Sequence, residues 1–277
     1  MLYSVCECGV MTWHQTICQR QPKRKLLYSS IVIVVRHRTQ STSWQGLQMS
    51  NETAQTERIE QLISTRVEEL LAEAGFKQPP VNPLLIGARH EIYFMIRPLP
   101  AELPGFKILQ HGDSWVVTLG SDLPPENQTL AASRAVASIL IEAPPDLQEL
   151  KEQIVEQGAE ELLMPRPWFE EALKSFGYDV AALKRRFGVP YDTVALRTLR
   201  FRPAILTIFE NAEVVQRTAS PGLEWRPEPS LAEREILQRA MQTSTYQRAS
   251  DANGLIECQP IPQESGAVRV YCFKVPR

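Results

Sequence analysis

Hydrophobic residues first recur at helical spacing over Ile59, Leu62, Ile63, Val67, Leu70 and Leu71. Steps of three and four put all six on one face, so the pattern predicts an amphipathic helix that stops at Gly75. A polar lead-in from Met49 precedes it. "KQPPVNP" (Lys77–Pro83) predicts a rigid extended connector, because adjacent prolines fix φ and exclude helix. The stretches "EIYFMIRPL" and "FKILQHGDSWVVTLG" predict strands, the second a hairpin turning at His111-Gly112-Asp113-Ser114.

From Asn127 the spacing is helical again. "QTLAASRAVASILIE" predicts a small-residue helix whose most apolar positions are Leu130, Val136, Ile139 and Leu140. "APPD" breaks it, with Asp146 the expected N-cap of a helix over Leu147–Met164 that Pro165 ends. A shorter helix, "PWFEEALKSF", comes next, and two short helices joined at Gly188 follow over Asp179–Leu199. Further on, "AILTIFENAEVVQRTA" predicts strands, and Ser230-Leu-Ala-Glu233 is a capping box opening a helix to about Met241. "GLIECQPIPQESGAVRVYCFKV" predicts a closing hairpin. The expected organisation is a poorly structured basic extension (1–48), a main domain (49–200) and a small C-terminal α/β unit (201–277).

Charge sharpens the first boundary. Residues 1–48 hold six Lys/Arg against one acid, Glu7, whereas the rest holds 24 basic and 31 acidic residues, net −7. Met49 is therefore read as the biological start, with the preceding residues an upstream over-extension or a disordered arm; a basic transit peptide is the alternative. The acidic body argues against broad nucleic-acid binding, which depends on neutralising phosphates. The five cysteines form no C-x-x-C pair and no framework spacing, so a reducing cytoplasm is expected. The longest apolar run, "LLYSSIVIVV" (Leu26–Val35), has about half the length needed to span a bilayer, so no membrane partner is expected.

Two motifs invite catalytic or DNA-binding readings. Gly112-Asp113-Ser114 matches a nucleophile motif of some esterases, but none of the four histidines lies beyond His111, and the segment reads as a strand turn. The helix pair over Asp179–Leu199 has the shape of a helix-turn-helix, with Lys184, Arg185, Arg186 and Arg197 as candidate nucleic-acid contacts. Its second helix, however, starts Pro190-Tyr191-Asp192-Thr193, where the acid would repel phosphate. Packing is the better reading of the pair.

"AEELLMPRPWFEEAL" followed by "DVAALKRRFGVPYDTVALRTL" resembles the second half of the ImmA/IrrE-type zinc metallopeptidase domain. "VEELLAEAGFKQPPVNP" and "HGDSWVVTLGSDLPPENQTLA" are similar to its first half, so the resemblance covers about residues 58–200. It implies an α+β, zincin-like fold of a small sheet plus helices. It also implies zinc held by His-Glu-x-x-His on one helix, where histidines four apart share a face and the glutamate is general base. Here Ser133, Arg134 and Ala137 stand at those three positions, and sliding by one residue either way supplies no histidine. The third ligand, eleven residues before the Leu-Leu-Met-Pro proline, falls on Ile154, while Glu152 and Glu156 are expected to face elsewhere. Trp168 and Phe169 would line a cleft or pack beneath the helix that Pro165 ends. No cofactor is therefore expected, although the family implies zinc. The leading expectation is a non-catalytic, regulatory domain acting through protein binding, with Ala131, Ala132, Ala135 and Ala137 leaving room for a partner's side chains. A DNA-associated transcriptional or stress regulator is the second, and a metallopeptidase with an atypical site the third.

Overall fold

The computed structural model describes residues 42–277 apart from Pro104 and Glu264, with side chains from Ala54 onward. The expectations placed on residues 1–41 lie outside the described residues. The first helix, α1 (Thr42–Ala74), starts before Met49 and buries Ile59, Ile63, Val67, Leu70 and Leu71 on the face their spacing predicts. A short helix, α2 (Pro83–Arg89), begins at the last residue of the extended connector, in a stretch where the sequence pattern predicted no element; Asn82 caps it by accepting from the Leu84 amide at 3.0 Å.

Strands β1 (Ile92–Arg97), β2 (Phe106–His111) and β3 (Ser114–Gly120) form a sheet of order β1-β3-β2, with β1 parallel and β2 antiparallel to β3. Alternation turns Ile92, Val117 and Leu119 into the core shared with α1 and with α3 (Pro125–Leu140). After α3, the chain makes a 3-10 turn over Pro145–Leu150 before α4 (Lys151–Leu163). Asp146 is thus not the N-cap of α4; its carboxylate lies within that turn and meets the Arg58 guanidinium at 2.5 Å. Helices α5 (Arg166–Phe176), α6 (Val180–Phe187) and α7 (Tyr191–Thr198) follow. The join between the last two is Gly188 at φ 68°, a left-handed position that glycine takes without steric cost.

The C-terminal segment is a five-stranded antiparallel sheet of order β5-β4-β8-β7-β6, built from β4 (Ile205–Glu210), β5 (Glu213–Ala219), β6 (Gln247–Asp251), β7 (Gly254–Pro262) and β8 (Val268–Pro276). Strand β6 carries no sequence signal strong enough to predict it. One face packs on α8 (Leu231–Thr243) through Phe209, Ile236, Leu237, Ile256 and Val270. The other face buries Leu206, Ile208, Tyr271 and Phe273 against Tyr178, Val180, Ala195 and Leu199. A shared core thus crosses the 200/201 junction, and residues 48–277 form one compact unit. Cys258 and Cys272, opposite each other on β7 and β8, form a disulfide that the cysteine spacing did not predict.

The capping box at Ser230 and Glu233 is present, but Glu233 does more than cap. Only 1% of its side chain is exposed, and its carboxylate meets Arg217 of β5 at 2.7 Å, with Lys274 of β8 at 3.9 Å. Burial pushes its pKa up, but the bonds from Arg217 and Ser230 outweigh that and hold it below 4.5. Glu126 is also held low, chiefly by its bond from Lys184; for Asp251, burial is outweighed by Lys274 and the loop amides. A carboxyl lowered on folding adds stability above its unfolded pKa, and that stability is lost as pH falls through the folded value. Urea unfolding should therefore show stability falling below about pH 4.5. Glu233→Gln, which leaves Arg217 buried and unpaired, should cost about 3 kcal/mol at neutral pH and flatten the acid dependence.

Candidate functional site

Ser133, Arg134 and Ala137 sit on α3, and Ile154 sits on the facing helix α4. Ser133 and Ala137, four apart, share the face turned to α4, and both are fully buried. The Ser133 hydroxyl donates to the Ala159 carbonyl at 2.8 Å. Ala137 opposes Gly158, where an added Cβ would lie 3.5 Å from the Ala137 Cβ and 2.5 Å from Ile141 Cδ1. Small residues on both helices let their backbones approach closely. The seam between them is filled by direct contact, so Ala131, Ala132, Ala135 and Ala137, all buried, line no cleft.

Arg134 lies at the edge of this seam, where its guanidinium meets the Glu156 carboxylate at 2.8 Å. Glu156, half exposed, meets Arg134 at the rim of the seam and not on the buried side that carries Ile154; the sequence could not show that an arginine across the seam would engage it. Ile154 is fully buried and has no atom that binds a metal. Zinc does not fit this set. The one hydroxyl is engaged by a carbonyl, the one carboxylate by a guanidinium, and the other two side chains are hydrocarbon. Among the described residues no three His, Cys, Asp or Glu side chains converge.

Trp168 and Phe169 follow the proline stop and are packing residues. Phe169 is fully buried, its ring centroid 5.3 Å from that of Phe187 and 5.5 Å from that of Phe201, while half-buried Trp168 bridges two core clusters. Ser114, the esterase candidate, lies in the hairpin turn and donates to Glu91 at 3.4 Å, not to a histidine.

Of the four candidate nucleic-acid contacts, Arg185 and Arg186 are exposed. Lys184 is bonded to Glu126 at 2.5 Å and lies 5.1 Å from the Tyr191 ring centre. Arg197 is only 2% exposed; it pairs with Glu161, donates to the Met164 carbonyl at 2.9 Å and lies over the Phe169 and Phe201 rings. A guanidinium so enclosed does not reach a phosphate. The start of α7 is engaged as well: Asp192 accepts from the Tyr271 hydroxyl at 2.6 Å and meets Arg269 at 3.1 Å. The helix pair is docked on the C-terminal sheet by the end that a DNA-reading helix would present.

Residues 88–199 match the family model of the IrrE N-terminal-like domain, of the M78 peptidase type. The chain carries an IrrE N-terminal-like domain. No curated protein matches the chain. Among solved structures, a Mycobacterium tuberculosis transcriptional regulator is similar in fold, with 15% identity and a TM-score of 0.52 over 77% of this chain and 75% of that one.

Two clefts among the described residues lie away from the α3–α4 seam. One of about 400 Å³ is bordered by Glu57, Glu60, Glu161, Arg166, Arg197 and Arg200. Arg197 and Arg166 are engaged there by Glu161 and Glu170, so the walls offer no strong field of one sign. Sequence reading missed Glu161 and the pair Gly158-Ala159; small residues on α4 matching those on α3 were the available signal for the seam.

Two substitutions test these roles. Arg197→Ala should lower unfolding stability by about 3 kcal/mol, because it removes the guanidinium from Glu161, whose other oxygen keeps the Arg166 amide, and leaves the buried Met164 carbonyl without its donor. Ala137→His, which forces an imidazole into the seam, should cost about 1–3 kcal/mol through overpacking against Gly158. Denaturant titrations read both; a neutral Ala137→His would mean that the seam has room.

Proposed function

We propose that this protein is regulatory and works by binding another protein, with an IrrE-like domain that does not cut peptides. The filled α3–α4 seam carries the non-catalytic half of the reading. Peptide hydrolysis of the family type needs a metal, two imidazoles and a general-base carboxylate converging on one opening. Here the equivalent face is spent on Ser133–Ala159 and Ala137–Gly158 contacts, and a cation occupies the position of the base. The fold outlasts the loss because those same contacts hold α3 on α4.

A regulatory role is supported by the fold shared with the transcriptional regulator over about three quarters of both chains. Direct DNA reading by residues 179–199 has less support, since Arg197 is enclosed and the start of α7 is held by the sheet. No helix among the described residues is long and apolar enough to cross a membrane.

The direct test is elemental mass spectrometry on the intact chain, purified without chelator or affinity-tag metal. Zinc well below one ion per chain, together with no peptidase activity on added zinc, is the expected outcome; one zinc per chain would overturn the non-catalytic reading. Capture from a lysate by the intact chain should then recover a specific protein, and recovery of none would remove the binding half.

A further inference from the structure

Strand β1 stands at the edge of its sheet and pairs, among the described residues, with β3 alone. The amide of Trp115 donates to the Glu91 carbonyl and that of Ser121 to the Arg97 carbonyl, each at 3.0 Å. A parallel ladder uses alternate residues, so 91, 93, 95 and 97 bond to β3. The amides and carbonyls of Ile92, Phe94 and Ile96 consequently point to the open edge.

The side chains along this edge are unusual for one left in water. Tyr93 is 60% exposed, Ile96 57% and Met95 37%. Proteins guard exposed edges with charge, proline or bulges, and an apolar, regular edge is a pairing site. Charges occur only at the two ends of β1. Glu91 precedes it and Arg97 closes it; both are exposed, and neither has an ion-pair partner among the described residues.

We propose that β1 is the dimer interface of this chain, pairing antiparallel with β1 of a second copy about a two-fold axis at Phe94. The partner is identified by self-complementarity. Setting Phe94 against its copy places Ile92 opposite Ile96, so every outward amide and carbonyl of the strand gains a partner. The same register places Tyr93 opposite Met95 in closely spaced non-hydrogen-bonded pairs where side chains touch, and brings Glu91, in the turn just before the strand at φ 56°, to the end of the copy where Arg97 closes β1. A thioether against an aromatic ring is a favourable contact, and the two Glu–Arg pairs lie at the ends, where only the antiparallel arrangement brings opposite charges together. A shift by one residue would place inward-facing side chains on the outer face. The result is one six-stranded sheet running through both copies. The inference is independent of whether the domain cuts or binds peptides.

Sedimentation velocity on the intact chain over a concentration series tests it. A reversible monomer–dimer equilibrium is expected. Glu91→Lys or Arg97→Glu alone makes both end pairs like-charged and should weaken the dimer about tenfold. The double variant Glu91→Lys with Arg97→Glu restores opposite charges and should return the affinity towards that of the parent. Ile96→Pro removes an amide that faces only the open edge, so it should give monomer with unchanged far-UV circular dichroism. A chain that stays monomeric up to its solubility limit would overturn the proposal. So would a dimer indifferent to the single swaps, or one weakened by the double swap as much as by either single change.

Discussion

The close approach of α3 and α4 sets what this molecule is. Two helices come together this tightly only where side chains are small, and here Ser133 and Ala137 meet Gly158 and Ala159. The contact anchors the first sheet on one side, because α3 carries that sheet's core face, and leads on the other side to the Pro165 stop and the aromatic cluster around Phe169. In this chain the small-residue stripe of α3 is closed by direct packing on α4.

A second constraint runs from the end of α4 into the C-terminal sheet. Met164 closes α4, and its carbonyl accepts from Arg197 of α7, which also takes the Glu161 carboxylate. Arg197 sits on α7 and Asp192 at its start, so the helix is fixed at one end to α4 and at the other, through Tyr271 and Arg269, to β8. The Tyr271 hydroxyl is pushed well above its ordinary pKa by burial and by the adjacent carboxylate, so it remains a donor at any physiological pH. These polar links surround an apolar core, Val180 and Leu199 against Leu206 and Phe273, that joins the IrrE-like domain to the following sheet.

What could be read from the chain tracks the range of each interaction. Helical periodicity located α1, α3 and α4; the Gly188 join and the Ser230–Glu233 box were visible because turns and caps depend on neighbours within four residues. The Asp146 cap was misplaced since two prolines favoured a 3-10 turn first, and β6 was missed because its polar edge position leaves no alternation to see. That α3 carries no histidine was equally legible, because it is a property of the sequence.

Other features required two distant segments to be brought together. Nothing in Arg197 distinguishes it from the exposed Arg185 until α7 is laid on Glu161 and Phe169. The Cys258–Cys272 bond depends on the register of β7 and β8, and the Glu156–Arg134 pair on the rotation of one helix against another. The sequence by itself determined the longer helices, several turns and the absence of histidine from α3, all set by residue identity and local spacing. Only the tertiary structure decided that the small-residue stripe of α3 is closed, that the basic helix pair is docked, and that β1 stands, among the described residues, at a sheet edge. Burial and pairing across the fold are set by which surfaces meet, and no single segment carries that information.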